Sequence, residues 1–464
     1  MTLIKSISGI RGTIGGSTGD NLTPADIVKF TAAFSMLLQS RSKNRRVVIG
    51  RDARPSGEMV SALVASTLNA MGLDVTDLGL STTPTVEMAV VQEKAAGGII
   101  ITASHNTVEW NALKLLNSKG EFISADDGKK LLLLAESAGF RFAPVHQLGT
   151  YRQDNSYLEK HIKKILSLKR VNVKAIRARK YRIVVDAVNS SGGIAIPALL
   201  KALGVKEVIT MHCEPTGNFA HNPEPLPVNL KDLSRKVISS KADLGIAVDP
   251  DVDRLALVSE DGNMFGEEYT LVAVADYVLK HKKGNTVSNL SSTRALRDIT
   301  EMAGGRYSAA AVGEVNVVEK MKAVKAVIGG EGNGGIIYPA LHYGRDALAG
   351  VALFLSHLAT SGKKSSALRA SYPDYVISKN KIQLTPGVKI DKLFKRMQRK
   401  YAREQLNTED GLKIEFKNNS WVHLRRSNTE PIIRIYAEAK WLYEADALAE
   451  RMIDDIRAML EQRR

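Results

Sequence analysis

Three stretches of this chain repeat one order of elements: an apolar strand, a helix that stops at a glycine, then two further apolar strands. The first has a strand at 47–50, a helix over 57–71 that stops at Gly72, and strands at 73–78 and 99–102. The second has a strand at 183–186, a helix ending at Gly204, and strands at 208–211 and 244–248. The third has a strand near 286–290, a helix ending by Gly304, and strands at 307–312 and 326–328. Glycine at a helix end supplies the left-handed cap that stops it. A strand, a helix and a strand in close succession imply parallel pairing through right-handed crossovers. Sheets built this way bind ligands beyond the carboxyl ends of their strands. Beyond residue 376 the pattern changes, with an amphipathic helix near 390–403 and short strands at 412–416, 422–424 and 432–437. A final helix over 444–461 carries apolar Ala447, Met452, Ile456 and Leu460 on one face. This reads as a smaller α+β domain. A length of 464 residues exceeds one ordinary core and suits about three or four domains.

Composition narrows the class. Hydrophobic content of 44% and charged content of 25% are those of a soluble globular protein. No window approaches the ~18 uncharged apolar residues of a membrane helix, and the amino terminus lacks a signal peptide's apolar core. The single cysteine, Cys213, forms no internal disulfide framework and suits a reducing cytoplasm; it reads as a strand-associated packing residue. A net charge of +16 raises nucleic-acid binding. The densest basic stretch, residues 160–182, has only Tyr181 as a late aromatic and therefore lacks a base-stacking platform. No nucleic-acid-binding motif appears, and this stretch reads as a solvated helix and linker. Isolated arginines in glycine- and serine-rich loops (Arg11, Arg51, Arg254, Arg425 and Arg434) point instead to small anions.

The polar loop after each module's last strand carries the chemistry. The first is Thr102-Ala103-Ser104-His105-Asn106, which delivers a serine to a strand's carboxyl end. Taken alone, such a Ser-x-Asn more often caps a turn; with assisting neighbours the serine can carry a covalent group. The second is Asp249-Pro250-Asp251-Val252-Asp253-Arg254. Alternating positions in an extended backbone point to one side, so the three carboxylates can converge, and a hard cation relieves their repulsion. A calcium loop would need glycine where Arg254 stands. Arg254 either neutralises the trio or reaches a phosphate. The third is Gly329-Gly330-Glu331-Gly332-Asn333-Gly334-Gly335, where glycines admit close approach and one carboxylate can accept bonds from adjacent hydroxyls. The C-terminal domain adds Arg425-Arg426-Ser427-Asn428-Thr429-Glu430-Pro431, with the composition of a phosphate clamp that Arg434 would complete. Lys114 follows the serine loop, where a lysine can stabilise charge or move a proton.

Four motifs in this order, TASHN at 102–106, DPDVDR at 249–254, GEGNGG at 330–335 and RRSNTEP at 425–431, make the whole chain resemble the α-D-phosphohexomutases. That family includes phosphoglucomutase, phosphomannomutase and phosphoglucosamine mutase. The resemblance implies three similar α/β domains with mixed sheets (1–155, 156–258 and 259–373) and a smaller C-terminal α+β domain (374–464) around a central cleft. It implies that Ser104 carries a phosphoryl group, and that Asp249, Asp251, Asp253 and the Ser104 phosphate bind Mg2+. Glu331 and Asn333 match the loop that reads sugar hydroxyls; Arg425, Ser427, Asn428 and Thr429 match the loop that holds the non-reacting phosphate. Arg11, His105, Lys114 and Arg254 match positions lining the transfer site, with Lys114 moving the proton. A hexose bisphosphate would serve as intermediate and activator, in a cytoplasmic enzyme, monomer or homodimer, with no nucleic-acid or membrane partner. Glucosamine phosphate is the leading substrate and glucose or mannose phosphate the alternative, ahead of a non-catalytic sugar-phosphate binder or a phosphatase.

Three departures stand out. Thr107 replaces a common proline, Asn428 a common glycine, and Asn333-Gly334-Gly335 the usual Ser-Gly-His. The histidine missing from the sugar loop leaves His342, or the segment Gly344-Arg345-Asp346, as its possible replacement.

Overall fold

The structure, a computed structural model, describes residues 2–6, 9–137, 139–384, 388–427 and 432–461. The strand–helix–strand order is present in three consecutive units. In the first, the strand Arg46–Arg51 pairs in parallel with Asp74–Leu80 and Gly97–Ile101. In the second, Arg182–Asp186 pairs in parallel with Glu207–Met211 and Leu244–Val248. In the third, Asn285–Asn289 pairs in parallel with Tyr307–Ala310 and Ala326–Glu331. The helices between them, such as Gly57–Ala70 and Gly192–Leu203, end where sequence places them. Gly204 caps the latter at φ 79, a conformation costly for any residue with a Cβ.

Each unit also has a return strand that the sequence pattern leaves unmarked. Trp110–Leu116, Leu255–Ser259 and Gly335–Ile337 run antiparallel to the strand whose carboxyl end carries the polar loop. The sheets are therefore mixed, and each chemical loop is the turn of a hairpin held at both ends. The third module's last strand extends through Glu331, so this carboxylate stands on a strand end. The first sheet is the largest, with seven strands, because Ile4–Ser6, Gly9–Thr13 and Tyr151–Gln153 join it. Those three segments are short, the first two only partly buried and the third exposed, so they present little apolar period to read.

The carrier strands are the most buried. All residues of Gly97–Ile101 and of Leu244–Val248 are buried, as strands covered on both faces must be. One continuous core joins the second and third units, running from Ile183 and Ile246 through Phe265 to Phe354 and Leu355. The stretch 160–182 is not simply solvated. It forms the helices Tyr157–Leu166 and Val173–Arg179, and His161, Ile162, Ile165 and Ile176 turn inward.

The C-terminal unit is a five-stranded sheet in the order Val376–Gln383, Ile432–Ala439, Trp421–Arg426, Leu412–Glu415, Gln405–Asn407. Helices Ile390–Lys400 and Leu442–Glu461 cover one core that includes Leu393, Met397, Ile435 and Met452. The strand Val376–Gln383, rich in Lys, Asn and Ser, gives no apolar alternation yet pairs along its whole length with Ile432–Ala439. Among the described residues, no helix is long and apolar enough to cross a membrane.

Candidate active site

Ser104 follows the buried strand Gly97–Ile101 and sits at φ 51, a left-handed backbone that costs a non-glycine residue about 1–3 kcal/mol unless surroundings enforce it. The enforcing group is Arg54, whose side chain is fully buried. Its guanidinium donates to the carbonyls of Ser104 and Thr107, to that of Asn106 at 2.7 Å and to that of Trp110 at 3.0 Å. Its Nε donates to Asp52 at 3.0 Å. Asp52 in turn accepts from the Thr102 hydroxyl at 2.6 Å, and that hydroxyl accepts the Ser104 N–H at 2.9 Å. Thr107, where a proline is common, is therefore secured by its carbonyl. Arg54 was not among the residues sequence singles out, because its contacts lie about fifty residues away along the chain.

The Ser104 hydroxyl donates to Asp249 Oδ2 at 2.7 Å. In the Asp249–Arg254 loop, Val252 adopts φ 63, which for a β-branched residue marks an enforced turn. The turn brings Asp249, Asp251 and Asp253, all buried, to one place, with ligand oxygens within 4.8 Å of one another. Asp249 Oδ1 accepts the N–H groups of Asp253 at 3.2 Å and Arg254 at 3.1 Å. Asp251 Oδ1 and Asp253 Oδ1 are buried with no hydrogen-bond partner among the described residues. Orphaned carboxylate oxygens in a buried trio are costly, and a hard divalent cation satisfies them. The residues present fit such an ion.

Electrostatics separate the three acids. Burial, then Asp253 and Asp251, push the Asp249 pKa well up. Burial also raises Asp251, but the Lys114 charge and hydrogen bonds from Lys114 and Thr83 overcome it and hold this acid below the ordinary range. Thr83, at the start of the helix Thr83–Gln92, donates its hydroxyl to Asp251 Oδ2 at 2.6 Å and its N–H to the Asp251 carbonyl at 2.9 Å. Lys114 Nζ lies 2.6 Å from Asp251 Oδ2 and 3.4 Å from Asp253 Oδ2. Burial lowers its pKa, and the two carboxylates more than reverse that effect. His105 Nδ1 stands 3.5 Å from Ser104 Oγ. Burial, followed by the nearby Arg254 charge, holds the His105 imidazole neutral, its pKa down at about 2.

The carboxylate of the third loop is held on every side. Glu331 Oε1 accepts from Asn289 Nδ2 at 3.0 Å and from the Gly313 N–H at 3.1 Å. Its Oε2 accepts from Arg345 Nη1 at 2.8 Å. Arg345 also reaches Asp253 Oδ2 at 2.6 Å and Glu314 Oε2 at 2.9 Å. One guanidinium thus ties the carboxylate trio to the third loop. Of the two replacements for the missing histidine, only Arg345 is here. His342 faces Asp346 at 3.1 Å and Glu87 at 3.3 Å instead. Asn333 lines the cleft, its side-chain oxygen accepting the Gly335 N–H at 3.2 Å. Glu268, a half-buried carboxylate on the wall, carries no mark in the sequence; loss of solvent around it drives its pKa well up.

His105, Arg254, Glu331, Asn333 and Arg345 border a cleft of about 950 Å³ lined from all four units, with Ser104 and the carboxylate trio just behind them. Arg11, His105 and Trp110 come from the first, Glu224 and Arg254 from the second, Glu268, Glu331 and Arg345 from the third, and Lys379, Arg425 and Arg434 from the fourth. Arg254 Nη1 faces Glu224 Oε1 at 3.4 Å. Arg425 Nε donates to Asp410 at 2.7 Å. Ser427 is buried, its N–H bonded to the Ile432 carbonyl at 3.0 Å. Asn428 and Thr429 lie outside the described residues. Arg51 is the one isolated arginine absent from the cleft wall; Glu58 takes it up at 3.0 Å.

Comparison with known proteins agrees with this geometry. The chain matches the phosphoglucomutase/phosphomannomutase α/β/α domain I model over residues 3–141, domain II over 159–262, domain III over 266–375 and the C-terminal domain over 381–455. It is 36% identical over 436 residues to a phosphoglucomutase/phosphomannomutase of Thermococcus kodakarensis, covering 92% of this chain and 94% of that one. It is 29% identical over 460 residues to a phosphoglucosamine/phosphogalactosamine mutase of Sulfurisphaera tokodaii, covering 98% of each. A crystal structure of a phosphoglucomutase/phosphomannomutase family protein from Burkholderia thailandensis superposes with a TM-score of 0.84 at 28% identity, over 99% of this chain and 98% of that one. A four-unit α/β fold around one cleft lined with arginines and carboxylates, with these family matches, defines the class: an intramolecular phosphotransferase of the isomerase type. The chain belongs to the phosphoglucomutase/phosphomannomutase family, the α-D-phosphohexomutases.

Proposed function

We propose that this enzyme interconverts a hexosamine 6-phosphate and its 1-phosphate through a phosphorylated Ser104 and a bisphosphate intermediate. The observation that carries the reading is the one cleft lined from all four units. It has His105 and Arg254, neighbours of Ser104 and the carboxylate trio, on one wall and Arg425 with Arg434 on another. Asp249, Asp251, Asp253 and the Ser104 phosphate would hold Mg2+, which when bound neutralises charge on the transferring phosphoryl group. Phosphoserine 104 gives its phosphoryl group to the free sugar hydroxyl. The Ser104 O–P bond breaks, the sugar O–P bond forms, and the hydroxyl proton leaves to a neighbouring base while Ser104 regains one. The bisphosphate then turns over, and its other phosphoryl group returns to Ser104. Lys114 beside Asp251 and Asp253 stabilises charge and exchanges the proton, with Arg11, His105 and Arg254 around the transferring phosphoryl group; Arg425, Arg434 and the Ser427–Thr429 loop hold the phosphate that is not reacting.

The amino sugar is favoured by the loops Gly330-Glu331-Gly332-Asn333-Gly334-Gly335 and Ser427-Asn428-Thr429-Glu430-Pro431, which resemble those of phosphoglucosamine mutases. The relative named as a phosphoglucosamine/phosphogalactosamine mutase supports the same choice. A second reading, glucose or mannose phosphate, is favoured by the more similar Thermococcus relative. The test incubates the enzyme, Mg2+ and a trace of hexose bisphosphate with glucosamine, glucose or mannose 1-phosphate. Isomerised glucosamine phosphate as the fastest product supports the proposal. Release of inorganic phosphate would make the protein a phosphatase, and an unchanged substrate a binder.

A further inference from the structure

At the carboxyl edge of the second sheet, outside the residues lining the cleft, three side chains converge that the mutase reaction does not use. Asp186 ends the strand Arg182–Asp186, and His212 follows the neighbouring strand Glu207–Met211, with Asp186 directly paired to Met211. His221 comes back to them from the loop beyond. Asp186 Oδ2 lies 3.2 Å from His212 Nδ1 and 3.1 Å from His221 Nε2. All the ligand atoms fall within 4.8 Å of one another. The other carboxylate oxygen is already satisfied by the Val188 N–H at 3.1 Å.

The hydrogen bonding of His221 sharpens the point. Its Nδ1 stands 2.8 Å from the Asn222 carbonyl oxygen, which only accepts, so Nδ1 carries a proton. In the neutral ring Nε2 is then a lone pair aimed at a carboxylate oxygen. That arrangement needs a positive charge between the two: a second proton on the imidazole or a metal ion. Imidazoles that bind metals usually donate their remote N–H to a carbonyl or carboxylate, as His221 does to Asn222.

We propose that Asp186, His212 and His221 form a second metal site, separate from the Asp249 trio, for zinc or another borderline divalent cation. Two imidazoles and one carboxylate suit zinc or cobalt, whereas magnesium prefers oxygen alone. Bonds of about 2.0–2.1 Å in a tetrahedral site place ligand atoms roughly 3.3 Å apart, close to the separations found. The His212 and His221 side chains remain 30% and 19% exposed, which gives an ion entry and leaves room for water as the remaining ligand. Metal binding needs the His221 Nε2 lone pair, so a proton on that nitrogen competes with the ion.

Such an ion would fasten the loop between residues 212 and 221 to the sheet. That loop lays the Phe219 ring against the Arg54 guanidinium at 5.0 Å, the same group that holds the Ser104 carbonyl. Occupancy therefore reports in stability as well as in spectra.

The experiment titrates metal-stripped, full-length protein with Co2+ in excess Mg2+, reading visible absorption and melting temperature, then adds Zn2+. The expected result is a single Co2+ equivalent with nitrogen-ligand bands, bleached by Zn2+, and a Tm raised by several degrees. His212→Gln and His221→Gln should abolish the bands and the shift while leaving the metal-free circular dichroism unchanged; Asp249→Asn should keep both. Should His221→Gln fail to fold, His212→Gln at the more exposed position decides. Absence of bands in the native protein overturns the proposal. So do bands that survive His212→Gln, or bands lost in Asp249→Asn.

Discussion

Lys114 and Asp251, 137 residues apart, meet at 2.6 Å and join the return strand of the first unit to the metal loop of the second. The contact does two things at once. It keeps Asp251 ionised in a buried place, and it keeps Lys114 cationic, as the proton exchange proposed for this lysine requires. A cation binding Asp251 competes for the same oxygen charge and eases the proton off Lys114. Lys114→Arg retains a cation for Asp251 but holds its proton too firmly to give it up. Its melting temperature should stay within a few degrees of wild type while kcat falls about 10²-fold or more. Full activity in Lys114→Arg would remove the lysine from proton transfer.

Ser104 is strained and braced, which suits a group whose position matters more than its nucleophilicity. Ser104→Ala removes the acceptor atom and leaves the Arg54 brace in place, because that brace holds carbonyls. The variant should fold normally, take up no label from hexose bisphosphate, and lose at least about 10³-fold in kcat, the scale at which a covalent carrier is missed. Mass spectrometry of the intact protein checks the label directly. A variant that keeps its phosphate would show that another residue carries it.

Arg345 holds Glu331, Glu314 and Asp253 together, so one substitution should disturb both the carboxylate trio and the glycine-rich loop after Glu331. Arg345→Met leaves three buried carboxylates short of their cation. The expected loss is about 3–5 kcal/mol in urea unfolding, the usual cost of stripping one partner from a buried pair. Affinity for Mg2+, measured by calorimetry on protein that remains folded, should change in the same variant, as should KM for the sugar phosphate. A change in stability with neither binding constant moved would reduce Arg345 to a structural residue.

What the chain declares in sequence and what it hides follow a physical division. Carrier strands such as Gly97–Ile101 and Leu244–Val248 are continuous apolar runs, and the loops after them are dense in glycine and acid, so both are legible. Ser104, the Asp trio and Glu331 sit in those loops. Arg54, Thr83 and Asn289 are single polar residues whose partners come from other loops or units, and no local spacing marks them. Short strands failed for a related reason: Val376–Gln383 takes its register from Ile432–Ala439 rather than from its own alternation. His342 had the right chemistry for the sugar loop but packs the wrong way, against Glu87 and Asp346.

Arg425 and Arg434 stand directly opposite each other on adjacent antiparallel strands, both on the cleft wall. Facing like charges cost stability unless an anion lies between them. Arg434→Gln should therefore gain a few tenths of a kcal/mol in the free enzyme and raise KM about 10-fold or more, with kcat less affected. Added inorganic phosphate should stabilise wild type more than the variant in a thermal melt. Equal stabilisation of both would place phosphate elsewhere.

The junction of the first three units predicts a pH dependence of its own. His342 is packed between Asp346 at 3.1 Å and Glu87 at 3.3 Å, while His161 reaches Asp346 from the second unit at 3.0 Å. Burial alone would lower the His342 pKa, but the two carboxylates raise it to about 10. Burial raises Glu87 to about 8, against the opposing pull of His342. Both groups bind protons more tightly folded than unfolded, so each loses stability as pH rises. For His342 the contribution is complete below its unfolded value of about 6.5 and disappears as pH climbs through 10. His342→Gln removes that contribution, leaving Glu87 facing a neutral amide. In urea unfolding, the variant should be weaker than wild type by about 2–3 kcal/mol near pH 6, and the gap should close toward pH 10. An offset that stays constant across this range would mean that His342 serves by shape and not by charge.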